Sequence, residues 1–171
     1  MSSDMLVGRA VHIRDAAAGD GDQIAAIWNH EVLWTDATTD TEPRDPRAQR
    51  AWLERHRGVH PAVVAVVDDE VLAYGSLSPY RPKPAFARTA EDSVYVKRGH
   101  RGAGLGTLIL RDLIRRALEL GAHSLLARIT SGNAASLRLH RRHGFSVVGV
   151  EHEVAFKLGR WHDVTVMQRR L

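Results

Sequence analysis

The segment from Glu91 to Thr130 constrains the fold of this chain more than any other stretch. A strand-like run over 91–97 leads into a glycine-rich loop, then into an amphipathic helix from about Gly104 to Leu120, and finally into a second strand over 124–130. Because a strand, a helix and a following strand pack as a right-handed crossover, this segment predicts two parallel strands with the helix covering one face of their sheet.

The rest of the chain supplies further strands and helices around this central unit. Before the central unit, the sequence predicts a strand at 10–14, a helix that begins near Asp20, a polar loop closed by Pro46, a helix at 47–57, a hairpin around Asp68-Asp69 and a long loop at 80–89. After the central unit, it predicts a short helix from Asn133 that stops at Gly144, and strands near 147–154 and 164–169. This order favours an α+β domain with a mixed sheet over a doubly wound one. We expect residues 1–171 to form a single domain.

The loop before the central helix has the composition of an anion site. Glycines at 102, 104 and 106 let a ligand approach the backbone, and the first turn of a helix offers unpaired N–H groups and the positive end of the helix dipole. The spacing is neither that of a P-loop nor that of a dinucleotide fingerprint. The alternative interpretation is a glycine-rich surface turn without a ligand.

Composition excludes several functional classes. The net charge of +4 is spread among 20 acidic residues, and no basic run is interleaved with aromatic residues, which disfavours nucleic acid as a partner. The absence of cysteine rules out disulfides and a thiolate nucleophile, and the ten histidines show no zinc-binding spacing, so we expect no metal. No apolar run is long enough to span a membrane and no leader is evident over 1–9, so we expect a soluble, cytoplasmic protein without a membrane partner.

The glycine loop, together with "NAASLRLHRRHGF" one strand later, resembles the GNAT superfamily of acetyl-CoA-dependent N-acetyltransferases. The resemblance implies the GNAT fold, a central, mostly antiparallel sheet with a splayed strand pair flanked by helices. It also implies that the strand before the loop splays at a bulge and pairs with the pantetheine of acetyl-CoA, while the loop binds the pyrophosphate. The cofactor-binding residues implied in this way are Val94, Tyr95, Val96, Arg101, Gly102, Ala103, Gly104, Leu105, Gly106, Thr107, Asn133 and Ser136. His140 stands where many members of the superfamily have Tyr.

Further motifs narrow the resemblance to the phosphinothricin and methionine sulfoximine (or sulfone) acetyltransferase branch. They are "IWNHEV", "DTEP", the aromatic-Arg pair Tyr80-Arg81, "TAEDSVYV", "LHRRHGF" and "GRWHDV", and the match extends from about Ile13 to Gln168, nearly the whole chain. The branch implies acetylation of a small amino acid analogue, a link to herbicide resistance, and a homodimer whose surface includes part of "GRWHDV". The sequence departs from the branch at Thr39, where Phe is usual, and at Ala87 and Arg88, so the identity of the amine is less constrained than the reaction.

Two side chains are candidates for the chemistry. Amines are mostly protonated at neutral pH, so acetyl transfer needs a base, and Glu91 matches the glutamate that the family places at the start of the splayed strand. His140 lies two helical turns after Asn133 and would either donate to the leaving sulfur or hydrogen-bond the substrate. The alternatives are a solvated strand-end carboxylate for Glu91 and a structural helix-end histidine for His140. An amide N–H near Val94 would meet the oxyanion.

Substrate selection would fall on the loop after the second strand of the hairpin. Arg81, with Tyr80 and Thr89 nearby, suits bidentate binding of a carboxylate. Trp161 is either part of the dimer surface or ordinary core. Two other functions remain open: acetylation of a protein N-terminus or polyamine, and a non-catalytic module that senses acetyl-CoA.

Overall fold

A computed structural model describes residues 9–171, and the leader expectation for 1–9 therefore lies almost entirely outside the described residues. The elements follow in this order: β1 (His12–Asp15), α1 (Gly21–Trp34), α2 (Pro46–Arg55), β2 (Ala62–Val67), β3 (Glu70–Pro79), β4 (Thr89–Val96), α3 (Leu105–Glu119), β5 (Ser124–Thr130), α4 (Ala134–Arg142), β6 (Ser146–Lys157) and β7 (Arg160–Arg170). Every predicted element is present, and the last two strands are longer than predicted.

The seven strands form one mixed sheet in the order β1-β2-β3-β4-β5-β7-β6. All neighbours are antiparallel except β4 and β5, which are parallel and are connected through α3. The tight β2–β3 turn places both Asp68 (φ 47°) and Asp69 (φ 64°) in the left-handed region, as two-residue hairpin turns require. The predicted α+β architecture with its central crossover is confirmed.

Helices cover both faces of the sheet at β2 and β3, so the protein has two cores. β2 is buried throughout, and its alternate residues enter the two cores: Val63, Ala65 and Val67 pack with α3, whereas Val64 and Val66 pack with α1 and α2. The face covered by α3 and α4 is called the α3 face below, and the face covered by α1 and α2 is called the α1 face.

The same alternation assigns the residues of β4 to the two faces. Ala90 belongs to the α3-face core and Tyr95 packs on the α1-face core. Glu91 therefore shares the α1 face with Tyr95, and Asp92 shares the α3 face with Ala90. Neighbouring carboxylates on one strand are in this way directed to opposite sides of the sheet.

No helix among residues 9–171 combines the length and apolar character needed to cross a membrane. Over the same residues, no three His, Asp or Glu side chains cluster as a metal ion would require.

Candidate active site

The sheet opens between β4 and β5. The two strands pair over Thr89–Glu91 only, opposite Ser124–Leu126, whereas β4 stays paired with β3 as far as Val96. Lys97 N–H donates to the carbonyl of Leu72 in β3. Because alternate residues of a strand direct their backbone groups to opposite neighbours, the N–H and C=O groups of Val94 and Val96 point into the opening. The predicted splay is present and offers unpaired backbone donors and acceptors.

The bulge predicted with the splay is not found in the pairing that holds β4. The β3–β4 register runs without a shift from Ala73–Val96 to Pro79–Ala90. The stacked rings of Tyr74 and Tyr95, 5.3 Å apart, support this register. β5 instead follows β7 along its whole length. The opening therefore arises because the two strands follow different partners, not because a residue is inserted.

A cleft of about 350 Å³ joins the opening to the glycine loop and to α4. We call it the glycine-loop cleft. Ten of the predicted cofactor residues line it: Val94, Tyr95, Val96, Arg101, Gly102, Gly104, Gly106, Thr107, Asn133 and Ser136. Its wall also contains residues that the sequence did not single out, namely Glu31, Ala37, Ala135, Arg138, Leu139 and Arg142. Two of these are arginines on α4, so the cleft is more basic than the motif alone indicates.

Two predicted cofactor residues do not present side chains to this cleft. Leu105 is 1% exposed and belongs to the α3-face core, because it lies on the apolar stripe of α3. Ala103 is absent from the cleft wall. For Leu105, the backbone N–H at the start of the helix is the group left to meet a ligand.

Two glycines determine the geometry at the N-terminus of α3. Gly104 is the N-cap residue and has φ 82°, a left-handed backbone conformation that residues other than glycine rarely adopt. A Cβ on Gly106 would lie 3.3 Å from Leu139 of α4, so a larger residue would crowd the gap between the two helices. The N-terminal amides of α3 are thus left accessible beside α4, which suits an anionic group.

Arg101 of the loop is anchored by α1. Its guanidinium hydrogen-bonds Glu31, whose side chain is only 2% exposed, and Glu31 also accepts from the Thr35 hydroxyl at 2.7 Å. The arginine thus ties the loop to α1 at the same time as it lines the cleft.

Glu91 is half-buried on the α1 face, where β4 leaves β5. Its cross-strand neighbours are Ser78 and Leu126. Burial raises the pKa of Glu91, and the Arg128 guanidinium partly opposes this shift. Arg128 also forms an ion pair with Glu151 of β6, so the electrostatic environment of Glu91 involves three strands.

The His140 side chain is buried and forms a pair with the side chain of Asp92. Its Nε2 lies 2.9 Å from Asp92 Oδ1, and its Nδ1 lies 2.8 Å from the Ser136 carbonyl oxygen. Burial, the largest effect, disfavours the charged ring, but the hydrogen bond and charge of Asp92 outweigh it, so the pKa of His140 is raised. Both nitrogens are engaged within the protein.

The predicted substrate residues lie at the end of the sheet where Glu91 is located. Tyr80 and Thr89 close the β3–β4 loop through a backbone hydrogen bond of 3.4 Å. The exposed Arg81 guanidinium lies 5.0 Å from the Tyr80 ring and 5.6 Å from Phe86. The Arg88 side chain does not join this group of residues, because its Nε donates to the Gly121 carbonyl after α3.

A second arginine that the sequence analysis missed lies on the α1 face. The Arg44 guanidinium sits 4.2 Å from the Trp28 ring and 4.6 Å from the Trp52 ring, and its backbone is held by Asn29. Desolvation lowers the pKa of this arginine. Arg44 follows the "DTEP" motif directly, but nothing in the sequence indicates that two helices would enclose it.

Comparison with known proteins decides the family. The model of the acetyltransferase (GNAT) family matches residues 26–145, which include the splayed strand, the glycine loop and α4. The chain belongs to the acetyltransferase (GNAT) family. The family and fold predicted from the sequence are confirmed.

Relatives within the GNAT family match almost end to end. A Pseudomonas paraeruginosa protein named L-methionine sulfoximine/L-methionine sulfone acetyltransferase is 45% identical over 93% of this chain and 94% of its own length. A Streptomyces coelicolor phosphinothricin N-acetyltransferase is 39% identical over 94% of this chain and 96% of its own. The solved structure of yncA, a putative acetyltransferase from Salmonella typhimurium with its cofactor acetyl-CoA, has a TM-score of 0.92 at 39% identity and covers 95% of this chain and 94% of that one.

Proposed function

We propose that this GNAT protein transfers the acetyl group of acetyl-CoA to the amino group of a small amino acid analogue of the phosphinothricin, methionine sulfoximine or methionine sulfone type. The observation that carries the proposal is the glycine-loop cleft, which runs from the head of α3 into the opening between β4 and β5. The names of the relatives described above supply the substrate class.

The groups that line the cleft suit the two charged and polar parts of acetyl-CoA, its phosphates and its pantetheine arm. The N-terminal amides of α3 and the arginines at 101, 138 and 142 provide partners for the phosphates. The inward-facing backbone groups of Val94 and Val96 can pair with the amides of the pantetheine arm, as an added strand would. The thioester carbon is then held in the opening, close to the point where β4 and β5 separate.

Glu91 acts as the base. Its raised pKa places its proton affinity nearer to neutral pH than that of an ordinary glutamate, which suits proton removal from the substrate ammonium group. The N–H of Val94 points into the opening and can donate to the thioester oxygen as negative charge develops there.

Arg81 and its neighbours select the substrate. Arg81 is exposed at the edge of the site and is kept near Tyr80 by ring contact, so it can grip a carboxylate with two N–H groups. Thr39 is also exposed. The resemblance places this position near the substrate, where a side chain smaller than the usual Phe would leave more room. Herbicide resistance would follow if phosphinothricin is among the amines accepted.

The protein acts as a homodimer. Each protomer is a single GNAT domain built from residues 1–171. The dimer works in the cytoplasm, where acetyl-CoA is supplied. The support for the dimer is an apolar surface on the β6–β7 hairpin, where Phe156 is 57% and Trp161 58% exposed with their rings 5.2 Å apart. Val148 and Val154 extend this surface. Trp161 is therefore not a core residue of the monomer.

The proposal is tested by measuring coenzyme A release with phosphinothricin, methionine sulfoximine, methionine sulfone, a polyamine and a short peptide. We expect turnover with the amino acid analogues, and Glu91→Gln should lower kcat/KM by about 10²–10⁴-fold. Glu119→Gln, on the exposed side of α3, is the matched control. Turnover confined to the peptide or the polyamine would contradict the substrate class. Absence of acetyl-CoA binding by calorimetry would contradict the function itself.

A further inference from the structure

Asp92 and His140 form the most deeply buried acid–base pair of the site. The two side chains are 0% and 3% exposed, and their polar atoms lie 2.9 Å apart. The pair joins β4 to α4 across the α3 face, opposite the face on which Glu91 lies. Nothing in the proposed chemistry so far uses Asp92.

The hydrogen-bond partners determine where the protons are. The Ser136 carbonyl can only accept, so His140 Nδ1 must carry a proton. If Nε2 were unprotonated, its lone pair would face the carboxylate oxygen of Asp92 at hydrogen-bond distance, and both would be acceptors. A proton therefore lies between Nε2 and Oδ1. Because the hydrogen bond and charge of Asp92 raise the pKa of His140, this proton is assigned to the ring, as an imidazolium paired with a carboxylate.

The pair lies in the opening between the strands. A cavity of about 50 Å³ is lined by Asp92, Arg128 and His140 together with Val94 and Ser136, which also line the glycine-loop cleft. The second oxygen of Asp92 is buried and has no hydrogen-bond partner among the described residues. The imidazolium is thus placed beside the opening that would receive the thioester.

We propose that Asp92 is a positioning residue that keeps His140 doubly protonated and oriented at this opening, where the ring's positive charge stabilises the thiolate leaving acetyl-CoA. The proposal rests on the function proposed above. In the transfer, Glu91 takes one proton from the substrate ammonium group, and the neutral amine nitrogen then forms a bond to the acetyl carbon. The carbon–sulfur bond breaks with its electron pair remaining on sulfur, and the second proton on nitrogen leaves to water.

The neighbouring charges are consistent with this division of roles. Glu91 faces the other side of the sheet, where burial raises its pKa, Arg128 partly opposes this shift, and the charges of Asp92 and Glu151 add to it, so Glu91 can accept a proton. Asp92 already shares a proton with His140 and is therefore unsuited to be the base. On α4, the arginines at 138 and 142 line the outer cleft, and at the end of that helix His143 Nδ1 bonds the Leu139 carbonyl. No other carboxylate lines the small cavity within residues 9–171.

The protonation of His140 can be read in the wild-type protein without any turnover. Nitrogen-15 NMR of the imidazole rings, with the His140 signals assigned by their loss in His140→Gln, should show both nitrogens protonated at pH 7. The titration midpoint should lie above the value of about 6.5 of an exposed histidine. A neutral His140 ring at pH 7 would overturn the proposal, even if acetyl transfer were observed.

Asp92→Asn separates charge from position. The asparagine amide can donate to an unprotonated Nε2, so the ring keeps its place. The carboxylate that favours the imidazolium is gone, and only the hydrogen bond to the Ser136 carbonyl then opposes the effect of burial. We expect kcat to fall on the order of 10²-fold with unchanged acetyl-CoA affinity, and the alkaline limb of the kcat profile to move to lower pH. Asp112→Asn, which removes a carboxylate from the outer side of α3, is the matched control.

An Asp92→Asn protein with wild-type kcat and an unmoved alkaline limb would refute the role of the pair. An inactive wild-type protein with a doubly protonated His140 would instead refute the proposed function and leave the geometry of the pair as found. Should Asp92→Asn fail to fold, the wild-type NMR measurement decides the matter alone.

Discussion

At the scale of single residues, the site is organised by what surrounds each titratable group. Glu91 and Asp92 are adjacent in sequence and of the same chemical type, yet one is half-buried near an arginine and the other is fully buried against a histidine. Pairs of acidic groups in different environments can take different roles in one reaction. Strand alternation alone separates these two carboxylates.

The charges around Glu91 lead to a prediction about pH dependence. A base with a raised pKa is active only above that pKa, so Glu91 should set the acidic limb of the kcat/KM profile. Arg128→Leu removes the cation that holds this pKa down, and the acidic limb should move to higher pH. Glu151→Gln removes an anion that raises the pKa of Glu91, so the acidic limb of the kcat/KM profile should move to lower pH.

Rate measurements from pH 5 to 9 on the two variants check this prediction. Arg141→Leu, at the exposed end of α4, is the control for loss of an arginine charge. Shifts of the same sign in Arg128→Leu and Glu151→Gln, or no shift in either, would mean that Glu91 does not control the acidic limb.

At the scale of elements, α3 packs closely on β3 and β4. Gly75 of β3 lies under α3, and a Cβ at this position would be 2.5 Å from Ile109 Cγ2 and 2.8 Å from the Ser93 carbonyl oxygen. The helix that carries the glycine loop can approach the sheet closely only because position 75 has no side chain.

Gly75→Ala should therefore destabilise the protein. We expect a loss of about 1–3 kcal/mol from overpacking, which for a chain of this length lowers Tm by about 2–4 °C for each kcal/mol. Gly149→Ala in β6 is the matched control, since nothing among the described residues lies within 4 Å of its Cβ. Thermal unfolding followed by circular dichroism measures both, and equal melting temperatures would contradict the packing argument.

At the scale of the whole molecule, the β6–β7 hairpin at the end of the sheet carries an unusually apolar exterior. Large apolar side chains exposed by 40% or more recur along it: Val147, Val148, Val150, Val154, Phe156, Leu158 and Trp161. Exposed apolar side chains that recur along one hairpin in this way are typical of an interaction site. In the homodimer proposed above, a second copy of the chain covers these side chains.

Trp161→Arg should therefore convert the proposed dimer into a monomer, because an unpaired charge buried in an apolar interface is costly. Light scattering coupled to size-exclusion chromatography gives the mass directly. Val59→Asp, an equally exposed apolar position in the loop after α2, should leave the dimer intact. A monomeric wild-type protein would contradict the assembly proposed here.

The sequence by itself determined the elements, their order and the family. Hydrophobic periodicity gave β5 with the bounds that the structure shows, and it gave α3 to within a residue at each end, because these segments have an apolar pattern of one clear period. The glycine motif identified the head of α3, since its function depends on backbone conformation, which local sequence encodes.

The tertiary structure decided what each site residue can do. Asp92 and His140 are 48 positions apart in the sequence, and Glu31 and Arg101 are 70 positions apart. Arg44 contacts the ring of Trp28, 16 positions before it. Protonation and burial depend on these distant partners, and a linear pattern contains no record of them. For the same reason the bulge was wrongly expected: the path of β4 is set by its pairing with β3, which only the folded sheet reveals.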